Sequence, residues 1–170
     1  MTASKIALPF FCPMTEGSPC NLSHQAVSAR IRKSPYVHII IPYEDKFNEI
    51  EKTIRTIVDG KRLRGKKLKG RLARDFPQAG SRYCAICKSC WFSAFGIAEL
   101  GDLNDNVLIE IGLMFGFGKY IIFTLDEEYV DKESLPFNID DFMHIEYKTS
   151  LSLSGQLDEK IDHVLELLKP

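Results

Sequence analysis

The stretch NDNVLIEIGLMFGFGK, Asn104 to Lys119, restricts the folds open to this chain more than any other. From Asn106 onward it reads as a helix with apolar side chains on every side: Val107, Leu108, Ile109, Ile111, Leu113, Met114, Phe115 and Phe117. A helix that is apolar all round belongs in a core. Glu110, in its middle, is then a buried carboxylate, which must be paired, protonated or used because unpaired burial is costly. Gly112, Gly116 and Gly118 each cost about 1 kcal/mol relative to alanine inside a helix, so they predict close packing, with Gly118 placed to stop the helix. Tyr120 to Leu125 (YIIFTL) follows at once as a buried strand. Loop, short buried helix and buried strand make half of an α/β crossover unit.

The rest of the chain supplies more such units. Tyr36 to Ile41 (YVHIII) has the β-branched density of a central parallel strand, which Pro42 ends. Asp45 to Asp59 carries Phe47, Ile50, Ile54, Ile57 and Val58 at helical spacing. Lys61 to Arg74 holds eight basic residues and no acid. It reads as a solvated connection into a short second strand near Lys69 to Arg74, since no aromatic residues interleave for base stacking and nucleic acid is a disfavoured partner. Gly80 and Ser81 open a helix through about Cys90, with Ser81 as N-cap. Phe92 to Leu100 gives the third strand, with Glu99 near its C-terminal end. Asp126 to Asn138 is a polar loop or short helix, Phe142 to Tyr147 a last strand, and Gln156 to Leu168 a closing amphipathic helix. Alternating strands and helices predict an open parallel sheet covered on both faces, whose ligand lies beyond the carboxyl ends of the strands. Those ends carry Pro42 and Tyr43, Asp75, Glu99 to Asn106, and Asp126, with Glu110 directly behind.

Residues 1–34 read as an irregular appendage to an α/β domain spanning 35–170. Pro9, Pro13, Gly17 and Pro19 break regular structure, and only Ser23 to Ile31 is spaced for a short helix capped by Ser23. Hydrophobic content of 45%, charged content of 26% and a net charge of −1 describe an ordinary soluble protein, with no bulk charge for nucleic acid or membrane. No apolar run approaches the roughly 20 residues that span a bilayer, and Pro9 and Pro13 interrupt any secretion-signal core, so the expected compartment is the cytoplasm.

Several segments resemble the nucleoside 2-deoxyribosyltransferase-like and TIR-like nucleotide-binding proteins. IIIPYEDKFNEIEKTI resembles their opening strand and Pro-aromatic-acid turn, and LARDF their second strand with its acidic end. FGIAELGDLNDNVLIEIGLMFGFGKYIIF resembles their signature, in which a strand ending in an acid leads through an Asn-rich loop to Asn-Val-x-x-Glu-x-Gly. LPFNIDDFMHIEY resembles their late segment. The resemblance covers about Tyr36 to Leu168, and two positions depart from it: Ala94 stands where a polar or acidic residue is common, and Glu99 replaces the usual aspartate. It implies a three-layer flavodoxin-like sheet and N-glycosidic chemistry on a nucleoside, nucleotide or NAD. Carried over by position, Glu110 is the nucleophile or oxocarbenium stabiliser, Glu99 or Asp102 the helper acid, and Asn104 and Asn106 sugar binders. Such proteins commonly self-associate, so a homo-oligomer is expected. The alternative function is a non-catalytic nucleotide-binding or signalling module.

Five cysteines are the remaining signal. Cys84, Cys87 and Cys90 form CxxCxxC, and Cys12 precedes a proline, the arrangement of a [4Fe–4S] ligand set. A zinc site from Cys12, Cys20, Cys84 and Cys87 fits equally. Cys84 and Cys90 lie about 120° apart around a helix, so four ligands are expected, with Cys90 buried, spare or a substitute. His24, His38, His144 and His163 show no ligand spacing and read as structural or exposed. Tyr43 is placed either to stack on a base or to cover the sheet edge.

Overall fold

The computed structural model describes residues 24–76, 82–130, 135, 142 and 144–169, with side chains from residue 29 onward. The elements run α1 (His24–Lys33), β1 (Val37–Ile40), a 3-10 turn (Asp45–Phe47) into α2 (Asn48–Gly60), β2 (Arg62–Leu63), β3 (Lys66–Lys67) and β4 (Gly70–Arg71). After a 3-10 turn at Ala73–Asp75 come α3 (Arg82–Phe92), β5 (Phe95–Glu99), α4 (Asp105–Gly116), β6 (Ile121–Asp126), β7 (His144–Tyr147) and α5 (Ser150–Leu167).

Five strands form one parallel sheet in the order β4-β1-β5-β6-β7. By chain position the order is second, first, third, fourth, fifth, the flavodoxin-like arrangement, whose direction of winding reverses between β1 and β5. Strand side chains alternate between two cores. Val37 and Ile39 of β1, Phe95 and Ile97 of β5, and Ile145 and Tyr147 of β7 pack with Ile54 and Val58 of α2 and Leu153, Leu157 and Ile161 of α5. On the opposite face Ile40, Ala98, Phe123 and Leu125 pack with Val107, Ile111 and Met114 of α4 and Cys90 of α3. The three-layer α/β sandwich expected from the sequence is the fold.

Three local expectations are corrected. The basic connection contains a hairpin, β2 to β3, turned by Arg64 (φ 51°) and Gly65 (φ 76°), the pair of positive φ values that a two-residue type I′ loop requires. Helix α5 begins at Ser150, well before Gln156, because Thr149 caps it by accepting from the Ser152 N–H at 3.2 Å and Leu153 is fully buried. Helix α4 buries one side only, through Val107, Glu110, Ile111 and Met114, while Leu108, Ile109 and Phe115 are exposed. Nothing lies within 4 Å of a Cβ built on Gly112 or Gly116, so these glycines do not mediate close packing within the described chain. Gly118 does stop the helix. With φ at 62° it donates to the Phe115 carbonyl at 2.9 Å, and Lys119 donates to Met114 at 3.0 Å, a Schellman closure.

The expected appendage, residues 1–34, lies mostly outside the described residues; its helix α1 packs on α3, with the Arg30 guanidinium 4.7 Å above the Phe92 ring. Among the described residues no helix is long and apolar enough to cross a membrane. Much of the basic run is engaged at home: Lys61 pairs with Asp158 and Asp162 of α5 at 2.9 and 2.7 Å, and Arg74 pairs with Glu51.

The helix glycines yield a paired stability test. Gly118→Ala should lose about 1 kcal/mol or more because alanine is strained at that φ, whereas Gly112→Ala and Gly116→Ala should each gain up to about 1 kcal/mol, read from urea midpoints.

Candidate active site

Where the winding reverses, between β1 and β5, the strand ends leave a crevice of about 180 Å³. Ile40, Ile41, Pro42, Tyr43 and Glu44 line it from β1 and its following loop, and Asn104, Asn106, Val107 and Glu110 from α4 and its cap. Pockets that enclose a drug-sized ligand measure roughly 300–1,000 Å³, so this one seats a single ring and leaves larger groups at its mouth.

Glu110 is placed by its helix. The Asn104 side chain accepts from the Asn106 and Val107 N–H groups at 3.1 and 3.2 Å, which sets where α4 begins. Glu110 then falls on the buried side, 5% exposed. Its Oε2 meets Nε2 of His38 at 2.8 Å, and His38 is fully buried in β1, facing α4 like Ile40. Glu110 also lines the crevice, and the bond to His38 engages Oε2 alone. His38 was not singled out by its spacing. The signal was chemical: His38 is the polar residue in YVHIII, Glu110 is the charged residue in its apolar helix, and two such residues sharing one core must pair.

The mouth is polar and charged. Tyr43 is about half exposed, with the Arg74 guanidinium 4.7 Å above its ring. Partial burial and the nearby Glu110 charge push its phenol up to about 12. Glu44 bonds to the Asp102 carboxyl, and their hydrogen bond holds Asp102 above and Glu44 below the usual carboxylate range, with Lys46 also lowering Glu44 from 3.2 Å. Of this pair Asp102 is therefore the weaker acid.

The other acids at the strand ends are not brought to Glu110. Glu99 is two residues from Ile97 on β5 and so faces the α5 side of the sheet, opposite α4. There its fully buried carboxyl accepts from Thr124 Oγ1 at 2.6 Å, Tyr147 OH at 2.8 Å and the Gly101 N–H at 2.9 Å. Burial pushes it up to about 7 against the pull of these donors, and Asp126 adds to the rise. Asp126 itself accepts from the Glu128 N–H at 3.0 Å. Asp75 closes the turn after β4, accepting from the Arg55 guanidinium at 2.7 Å and the Leu72 N–H at 3.0 Å, outside the crevice. Of the sequence candidates, Pro42, Tyr43, Asn104, Asn106 and Glu110 share the crevice, Asp102 reaches it through Glu44, and Asp75 and Glu99 lie elsewhere.

The cysteines of α3 face inward to different degrees. Cys84 is half-buried, Cys87 buried, and Cys90 fully buried with Sγ 3.9 Å from the Glu110 carbonyl. Burial pushes the Cys90 thiol up, so it keeps its proton. Cys12 and Cys20 lie outside the described residues, and among those described no three His, Cys, Asp or Glu side chains gather as a metal ligand set.

The Glu99 cluster ties β5, β6 and β7 together and makes stability pH-dependent. With its folded pKa raised from 4.5 to about 7, Glu99 favours the folded state most below pH 4.5, and this contribution is lost as pH rises through 7. Glu99→Gln should flatten that decline, which is on the order of 3 kcal/mol, in urea unfolding followed from pH 5 to 8.

No protein-family model and no curated protein sequence matches the chain. Among solved structures it is similar to the CMP N-glycosidase BcmB of Clostridium botulinum, with a TM-score of 0.50 and 19% sequence identity, over 74% of this chain and 98% of that one. The likeness is one of fold.

Proposed function

We propose that the chain cleaves or transfers the N-glycosidic bond of a nucleoside, nucleotide or NAD, with Glu110 as nucleophile or oxocarbenium stabiliser. The observation that carries this reading is Glu110 itself: a carboxylate 5% exposed, with one oxygen tied to His38, that lines a ring-sized crevice at the switch point of the sheet. The fold shared with a CMP N-glycosidase supports it.

The chemistry asks for this arrangement. As the base leaves with the electron pair of the C1′–N bond, positive charge develops on C1′ and the ring oxygen. A carboxylate in a dry pocket stabilises that charge far more than one in water. Glu110 Oε1 either bonds to C1′ or holds the cation as an ion pair. The base takes up a proton, for which Asp102 is the better placed acid, since its partner Glu44 lines the crevice and Glu99 lies across the sheet. Water, or an acceptor hydroxyl, then bonds to C1′, releases Glu110 and returns a proton to the Asp102–Glu44 pair. Tyr43 at the mouth offers a face for the base. The exposed Asn106 side chain, and the Asn104 amide left free by its capping oxygen, are the groups for sugar hydroxyls.

The sensing alternative keeps the same pocket without turnover, and one experiment separates the two. Nucleosides, nucleotides and NAD are incubated with the protein while free base is followed. Base release that falls about 10³-fold in Glu110→Gln, with ligand affinity kept, supports the enzyme. Tight binding without release supports the sensor. Asp102→Asn should slow release about 10²-fold or more and remove the fall in rate as pH rises through the raised Asp102 titration, because a general acid works only while protonated.

Two further parts of the proposal rest on residues outside the crevice. Cys84 and Cys87, one helical turn apart on α3, are offered with Cys12 and Cys20 as a structural zinc or [4Fe–4S] site, with Cys90 left to the core. Metal and sulfide analysis after anaerobic purification should find one zinc or one cluster per chain, lost in Cys84→Ser. Self-association is supported by the exposed Leu108, Ile109 and Phe115 of α4, with Phe142 stacked on Phe115 at 5.2 Å.

A further inference from the structure

We infer that His38 is the positioning residue for Glu110: from the centre of the sheet it holds Oε2 and thereby turns Oε1 toward the reacting sugar carbon. The inference rests on the glycosidase reading above.

The geometry is direct. Nε2 and Oε2 are 2.8 Å apart, both side chains are buried, and they join β1 to α4 across the core. The glycosidase reading uses Glu110 as a carboxylate, which only accepts, and on that reading Nε2 carries the hydrogen of this bond. The position of α4 over the sheet is set nearby. Gly96, paired with His38 in register, leaves room for Met114 of α4, whose Cε would lie 2.8 Å from a Cβ built there. The bond therefore spans a helix–sheet contact that Gly96 and Met114 also fill.

Stability alone does not account for the pair. A buried charged or polar pair is commonly no more stabilising than apolar residues of the same volume. This one also leaves a defect, because His38 Nδ1 is buried without a hydrogen-bond partner, the one such side-chain nitrogen or oxygen among the described residues. An unsatisfied buried polar atom is a cost that an Ile or Leu at position 38 would avoid. What His38 provides instead is a rigid donor aimed at one carboxylate oxygen. The other groups that face Glu110 cannot substitute. Burial, and after it the Glu110 charge, pushes up the Tyr43 phenol and the Cys90 thiol, and neither is a cation. Without His38, Glu110 would be free to rotate within the helix–sheet gap, and Oε1 would lose its aim. No proton is transferred by His38 in the step itself.

The test uses three variants of the full chain: His38→Leu, which removes the donor at similar size, His38→Gln, whose amide restores one, and the double variant His38→Leu with Glu110→Leu. With a substrate found in the base-release panel, His38→Leu should lower kcat about 10²-fold while KM stays within about threefold, and His38→Gln should recover at least tenfold of that loss. Thermal unfolding supplies a second readout that needs no substrate. His38→Leu should lower Tm, and adding Glu110→Leu should restore it, since the buried carboxylate left without a partner is then gone. Wild-type kcat in His38→Leu, or equal loss in the Leu and Gln variants, overturns the positioning role. Additive Tm losses overturn the pairing. If the wild-type chain releases no base, the glycosidase reading fails and the positioning role with it, while Tm coupling in the double variant shows that the pair itself is not what failed.

Discussion

Strands β1, β5 and β6 are covered by helices on both sides, so every one of their side chains must be accommodated in one of two separate cores. The choice of core follows the period of two along each strand and admits no compromise. The fully buried polar residues are thereby committed: His38 to the α4 side, Glu99 and Thr124 to the α5 side. Two of the buried carboxylates, Glu110 and Glu99, consequently belong to different networks with the sheet between them.

The two networks are built on different logic. Glu99 accepts three hydrogen bonds, one each from β6 and β7 and one from the Gly101 N–H, and both of its oxygens are engaged. It ties the late strands to the core and has no route to solvent. Glu110 accepts one from His38 and lines the crevice, while its partner carries an unpaired ring nitrogen. Incomplete satisfaction in a core is tolerated where the free atom has a use. That contrast, more than burial, separates a structural acid from a candidate catalytic one.

Local composition made much of this readable. The β-branched run before Pro42, the Asn104 cap, and the Gly118 stop each act within a few residues, so the elements and their order follow from neighbours in sequence. The errors fall where a distant partner decides. Thr149 and Leu153 extend α5 against a Ser-rich start because Leu153 finds a place in the core. Gly112 and Gly116 look like packing positions, yet the face they share with Ile109 is open within the described chain. An acid at the end of a strand looks like a crevice residue until its parity is counted from Ile97.

The sequence by itself determined the α/β class, the position of the ligand edge after Ile41, and the singular status of Glu110, because these follow from hydrophobic period, turn chemistry and the cost of burying a lone charge. Only the tertiary structure decided that His38 is the partner of that charge, that Asp102 reaches the crevice through Glu44, and that Glu99 lies on the opposite side of the sheet. Those outcomes depend on strand order and on which face a helix covers. Both are fixed by contacts between residues as far apart in the chain as His38 and Glu110, and no local pattern encodes them.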